Sequence, residues 1–242
     1  MTTRIPSVWA RDREQPALSR AAIVREAIAM LDAEGTEALS MRKLGARLNA
    51  GATSLYRHVA SKDELMELAL DEVAAEITVP VIGPRITAPG AEGGDWRAAA
   101  AATAGSFRAA ALRHPWLASV LGQAGLAYLG PNLMSVSERL AALFITAGFP
   151  DPSGAIDALL SYVIGMSSTE AAWLTTVARS GETEAAFVAR LLPAARQAAA
   201  GYEHLSEAYT APAEADPARV RDVKFANGLD IVLDGLATRL PA

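Results

Sequence analysis

Between positions 42 and 62 stand Arg42, Lys43, Ala52, Thr53, Ser54, Tyr56, Arg57, His58 and Lys62, the side chains with the most recognisable chemistry in the chain. Hydroxyls, one aromatic ring and basic tips lie close together, with no nucleophile–base spacing among them. If Leu55 and Val59 turn inward, the segment ATSLYRHV presents Ala52, Thr53, Ser54, Tyr56, Arg57 and His58 outward. Small residues let a helix sink into a major groove ~12 Å wide, where Thr and Ser reach base edges or thymine methyl groups. Tyr56, Lys62 and the hydroxyls suit phosphate oxygens, which set register rather than sequence. Thr53, Ser54 and Tyr56 are expected nearest the bases, with Arg57 and His58 on the phosphate flank. The chemistry offered is nucleic-acid recognition.

Such residues need short helices to hold them. Ser19 starts a helix running through Leu31, with Ile23, Ala27, Ile28, Met30 and Leu31 on its apolar side and Gly35 as its stop. Ser40 caps MRKLGARL, and ATSLYRHV follows after a turn at Asn49, a residue that tolerates the left-handed conformation. Two helices of about eight residues are not stable alone. They must pack on each other and on the first helix through Leu39, Leu44, Leu48, Leu55 and Val59, with Ala46 small enough for a close crossing. Ser61 and Glu64 form a capping box that opens a fourth helix, expected to reach Val79 before Pro80 and Pro84.

The stretch 39–62 resembles the DNA-binding signature of the TetR family. Arg42-Lys43-Leu44-Gly45 and Leu55-Tyr56-Arg57-His58-Val59 match its two short helices. Lys62 falls where the family contacts the DNA backbone, and Glu34-Gly35-Thr36-Glu37-Ala38-Leu39-Ser40 resembles the exit of its first helix. The likeness covers about 20–75. Asn49 stands where the family usually has Gly, and Gly51-Ala52 leaves the first turn of the recognition helix nearly bare. The resemblance implies an all-α protein with a three-helix helix-turn-helix domain, a larger helical ligand-binding and dimerisation domain, and a homodimer on palindromic double-stranded operator DNA.

Charge follows the same division. Residues 1–62 hold ten Lys/Arg against six Asp/Glu, and the remainder twelve against twenty-one, so a head of +4 sits on a body of −9. A basic head is drawn to phosphate and an acidic body is not. We divide the chain into a basic arm (1–18), a DNA-binding domain with its connecting helix (19–79), a linker rich in Pro and Gly (80–94) and the body (95–242). Helices are predicted in the body over 95–113, 116–122, 132–147, 153–179, 183–200 and 217–240.

Other classes fare poorly. The chain has no cysteine, which excludes disulfides and Cys-based zinc sites. It holds no GxSxG, HExxH, GxGxxG or P-loop, and His58, His114 and His204 show no triad or metal spacing. An enzyme is therefore not expected, nor any cofactor. A pure interaction scaffold leaves the basic head unexplained. No run approaches the ~20 apolar residues of a membrane span, and Arg4, Arg11, Asp12 and Arg13 do not suit a signal peptide, so the expected location is the cytoplasm.

Two stripes in the body read as an interface: Ile156, Leu160 and Val163 with Leu159 and Met166, and Phe225, Leu229, Val232 and Leu236 with Leu240. Intramolecular core is the plain alternative; the resemblance favours a four-helix dimer bundle. Phe107, Trp116, Tyr128, Phe144, Tyr162, Met166 and Trp173 are either core or the lining of a cavity for an apolar or aromatic effector of unknown identity. Ser106-Phe107-Arg108 and Ala111-Leu112-Arg113-His114 are similar to a helix of the tetracycline repressors themselves. Those proteins hold drug and magnesium through histidines; here the matching neighbourhoods read Glu76-Ile77-Thr78 and Val120-Leu121-Gly122. A metal-dependent drug site is accordingly not expected.

Overall fold

The computed structural model describes residues 18–83, 95–124, 129–208 and 216–241. All regular structure among these residues is helical. The head is α1 (Arg20–Glu34), a 3₁₀ turn (Thr36–Ala38), α2 (Met41–Arg47) and α3 (Ala52–Leu55); α4 (Lys62–Ala74) joins it to the body. The body is α5 (Trp96–Arg113), α6 (Leu117–Ala124), α7 (Pro131–Thr146), α8 (Pro152–Ser180), α9 (Glu184–Ala199), α10 (Glu203–Ala208) and α11 (Pro217–Ala237).

Local signals place the helix starts. The hydroxyls of Ser19, Ser40 and Ser61 accept from the N–H groups of Ala22, Lys43 and Glu64, filling donors that each first turn leaves open. Glu64 reaches back to the N–H of Ala60, one residue before the cap. Asp151 and Asp216 do the same for the proline-led helices α8 and α11.

The head closes on Ile23, Ala27, Met30, Leu31, Leu39, Leu44, Leu55 and Val59, each 2% exposed or less. Leucines of this kind contribute about 1.5–3 kcal/mol apiece when fully buried. The close crossing of α2 on the turn is made by Gly45 and not by Ala46, which is exposed. A Cβ on Gly45 would stand 2.7 Å from the carbonyl oxygen of Ala50. Asn49 makes the turn at φ 50°, the one non-glycine residue at positive φ among those described. Gly45→Val should therefore cost about 1–3 kcal/mol, read as a lower melting temperature with α2 and α3 splayed.

The fourth helix stops short of Val79. After Ala74 the chain turns and leaves the helix, with Ile77 and Val79 buried and Thr78 and Pro80 exposed. This alternation suits β-branched residues, and Ser106 of α5 fixes the strand-like run by accepting from the N–H of Thr78 at 2.8 Å. Residues 80–83 continue it, and the rest of the expected linker, 84–94, lies outside the described residues. The short α10 has no counterpart among the predicted helices.

In the body α8 is the central helix, packed on α5, α6, α7, α9 and α11. α11 approaches it closely at Gly228, where a Cβ would collide with Tyr162; the Tyr162 hydroxyl donates to the Phe225 carbonyl at 2.7 Å. Glu170 of α8, 8% exposed, binds Arg108 of α5 through two 2.6 Å hydrogen bonds and Arg221 of α11 at 2.9 Å. Arg221 also pairs with Glu184 of α9, and Arg108 lies 4.9 Å from the Phe225 ring centre. One buried carboxylate thus ties α5, α8 and α11 together, and Arg221 extends the network to α9.

Candidate nucleic-acid interface and effector cavity

α2 and α3 present one polar surface. Arg42, Lys43, Thr53, Tyr56, Arg57 and Lys62 are exposed, while Ala52, Ser54 and His58 are half-buried. The phase follows from Leu55 and Val59, which are 0% and 1% exposed and hold α3 against the head. Lys43 leans to Glu34 at 3.7 Å. Lys62 donates to the Thr36 carbonyl at 3.3 Å. Arg20 donates to the His58 carbonyl at 3.2 Å and braces the end of the motif. The arm over 1–17, with Arg4, Arg11 and Arg13, lies outside the described residues.

The body holds an apolar cavity of about 80 Å³. Ile77, Phe107, Leu133, Val136, Leu159 and Val163 are among its walls. Among the described residues two hydroxyls reach it, and both have their protons engaged: Thr103 donates to the Ala99 carbonyl and Ser137 to the Leu133 carbonyl, which leaves their oxygens as acceptors only. Among the described residues no charged side chain lines it.

Of the aromatic residues expected to converge on a cavity, Phe107 alone lines this one. Trp116 donates its ring N–H to Asp32 at the head–body junction, and Trp173 donates to Glu184 while packing on Phe187. Tyr162 faces α11, and Met166 packs into the core beside it. Phe144 is fully buried among Trp96 and Phe149, with edge-to-face contact to the latter at 5.1 Å. Tyr128 lies outside the described residues. For Trp116, Trp173 and Tyr162 the reason is polar: a buried indole N–H or phenol O–H needs an acceptor, and these acceptors stand at helix junctions, not in an aliphatic pocket.

The two stripes expected at an interface are largely buried within one chain. Val163, Phe225, Leu229 and Leu236 are at most 8% exposed within one chain, and Ile156 and Val232 pack against the same core. Leu160 and Val163 line the cavity. Both stripes pack largely within one chain, because periodicity shows that a face is buried but not against what; Val232 and Leu236 also line the groove described below. The outward face of α8 carries Gly154, Ala158, Ser161, Gly165 and Ala172, all exposed. That of α11 carries Val220, Val223, Asn227 and Ile231, with Ile231 73% exposed. Between the start of α8 and the end of α11 runs a groove of about 880 Å³ that includes Gly154, Ala158, Ile231 and Gly235.

Polar residues that sequence reasoning passed over join the head to the body. Asp32 of α1 accepts from Trp116 at 2.7 Å and faces His114 Nδ1 at 2.8 Å. His114 Nε2 stands 3.2 Å from Glu76, which also takes a hydrogen bond from Arg113. Burial would raise the Glu76 pKa, but hydrogen bonds from His114 and Arg113 outweigh it and hold the group below the usual carboxylate value. No spacing rule links positions 32, 76, 114 and 116.

Comparison with known proteins gives this arrangement a family. Residues 23–69 match the family described as bacterial regulatory proteins, tetR family. Residues 88–240 match the tetracyclin repressor-like C-terminal domain. The chain belongs to the TetR family. Among curated TetR-like relatives, an HTH-type transcriptional regulator of Saccharopolyspora erythraea is 40% identical over 69% of each chain. The HTH-type transcriptional repressor DrrR1 of Streptomyces coeruleorubidus is 36% identical over 72% of this chain and 61% of its own. Of solved structures, ActR from Streptomyces coelicolor in complex with actinorhodin superposes with a TM-score of 0.68 at 31% identity, covering 91% of this chain and 97% of that one. This TetR-family chain is thus a transcriptional regulator, with an N-terminal helix-turn-helix domain and a larger helical C-terminal domain. No helix among the described residues is long and apolar enough to cross a membrane.

Proposed function

We propose that the protein is a ligand-responsive repressor that binds a palindromic operator as a homodimer and leaves it when a small, uncharged, largely apolar molecule occupies the body. The observation that carries this is the pairing of an exposed basic and hydroxyl surface on α2 and α3 with an apolar cavity in the domain behind it. DrrR1 is named a repressor, and ActR has been seen with actinorhodin bound, which supports both halves of the reading. The cavity's spent hydroxyls and lack of charge favour ligands recognised by shape. Two-fold symmetry doubles the few bases that one short α3 reaches. The small residues on the outer face of α8, beside Val220, Val223 and Ile231 of α11, allow a second copy to pack closely.

The test begins by selecting duplexes from a random pool with the purified protein. A selected inverted repeat, released on adding one member of a panel of apolar aromatic compounds that includes actinorhodin, is the expected result. Selection of no sequence, or no release and no thermal shift across the panel, overturns the reading. Lys62→Ala should weaken binding to selected and random duplexes alike and flatten the salt dependence by about one unit, as loss of one phosphate contact requires. Unchanged binding removes Lys62 from the interface.

A further inference from the structure

The hydroxyls of α8 are of two kinds. Thr169, Thr175 and Thr176 each donate to the carbonyl four residues back, the usual outlet for a hydroxyl inside a helix. Ser167 does not. Its side chain is 0% exposed, and its Oγ is the one buried side-chain polar atom among the described residues with no hydrogen-bond partner. A hydroxyl taken out of water and left unpaired lowers stability, so such an atom asks for a reason. Glu170, three residues on, gives its oxygens to Arg108 and Arg221 instead.

The reason lies in where Ser167 stands. Residues three or four apart on a helix share one face. Leu159, Leu160, Val163 and Ile164 of α8 line the cavity. Ser167 continues their face, one turn or about 6 Å beyond Val163. Thr103 and Ser137 have given their protons to their own helices, so they can serve a donor on a guest but not an acceptor. Ser167 has its proton still to give.

We propose that the Ser167 hydroxyl is the polar hook of the effector site, donating to a carbonyl or like acceptor at one end of an otherwise apolar guest; this rests on reading the cavity as that site. At about 80 Å³ the cavity is well below the ~300 Å³ at which ligand pockets begin, so a guest must extend it. Extension along α8 brings the leading end of the guest to Ser167. A hydrocarbon edge there leaves the hydroxyl unpaired, as it is in the empty site. A carbonyl oxygen pairs with it and so exchanges its hydration for a hydrogen bond. The apolar body of the guest is then chosen by fit, and its leading end by chemistry.

Matched ketones and hydrocarbons test this without an identified effector: indanone and indane, fluorenone and fluorene, xanthone and xanthene. Their affinities for the full wild-type chain and for Ser167→Ala are read by equilibrium dialysis, alongside melting curves. Ser167→Ala removes an unpaired buried hydroxyl, so it should melt no lower than the wild type. It should bind the ketones about tenfold more weakly and each hydrocarbon within about twofold of the wild type. Should that chain not fold, Ser167→Cys, whose thiol is a weak donor, takes its place. Equal effects on ketone and hydrocarbon overturn the proposal and leave the cavity as a binding site. So do ketones that bind both chains alike, and a wild-type chain that binds the hydrocarbons alone. If neither member of any pair binds the wild-type chain, the proposed function fails and this inference fails with it.

Discussion

Replacing Glu170 with Gln should lower stability by about 1–3 kcal/mol, a loss on the order of 2–12 °C in melting temperature for a chain of this size. The side chain is 8% exposed and sits between Arg108 and Arg221, themselves 15% and 22% exposed. Removing its charge leaves Arg108 with Asp222 alone and Arg221 with Glu184 alone, so each guanidinium loses one of its two carboxylate partners. The effect is the loss of three charge-assisted hydrogen bonds and not of a fully uncompensated charge. The pH dependence has a definite sign. Burial would raise the Glu170 pKa from its ordinary 4.5, but hydrogen bonds from Arg108 and then Arg221 more than offset this and lower it. A carboxylate depressed on folding adds stability that is fully present above its unfolded value. That stability is lost as the pH falls below about 4.5 through the lower folded value. Thermal melts between pH 7 and pH 3 should show the wild type converging on Glu170→Gln. Melting temperatures within a degree of each other at pH 7 would mean that the network contributes nothing.

The second large effect separates two residues on one helix. Leu229→Asp places a charge at a position 6% exposed, between α11 and α8, and should unfold the body or weaken it by several kcal/mol. Ile231→Asp, two residues on and 73% exposed, should leave each chain folded and abolish dimers. Loss of the second reading head then weakens binding to an inverted repeat by about a hundredfold or more. Sedimentation, circular dichroism and gel shift on the two variants distinguish these outcomes. A folded, dimeric Ile231→Asp protein would move the interface away from the outer face of α11.

The contrast between Leu229 and Ile231 shows where the sequence was legible. Elements that specify themselves locally were readable: Ser19, Ser40 and Ser61 as caps, Asn49 as a left-handed turn, Asp216-Pro217 as a helix start. The helix-turn-helix was readable for the same reason, since contacts within about forty residues build it. Packing partners were not. Phe225, Leu229 and Leu236 form a stripe whether they meet another helix of the same chain or a second copy. Ile231 looks out of phase until the first possibility is known to hold. The end of α4 was misplaced because Ile77 and Val79 fit a helical pattern as readily as an extended one, and Ser106, far along the chain, decides between them. Asp32 gave no signal, because a polar residue that pairs with a distant helix looks like any surface polar residue.

The cavity with its two occupied hydroxyls sets the resolving power of the sensor. Thr103 and Ser137 on its walls have given their protons to their own helices, so the site there offers a guest acceptor oxygens and no donor, and little is left unpaired when the wrong guest arrives. It therefore lacks the steep rejection that buried polar groups provide, and must discriminate by size, at about 1–3 kcal/mol per methylene. Neighbouring members of a homologous series should differ by tens-fold in potency, not by thousands. The same limit makes the sensor easy to retune: trimming Val136 or Leu140 by one or two carbons shifts the preferred guest upward without rebuilding any polar contact. Selectivity for the apolar part of a guest is a property of volume, and it drifts one methyl group at a time.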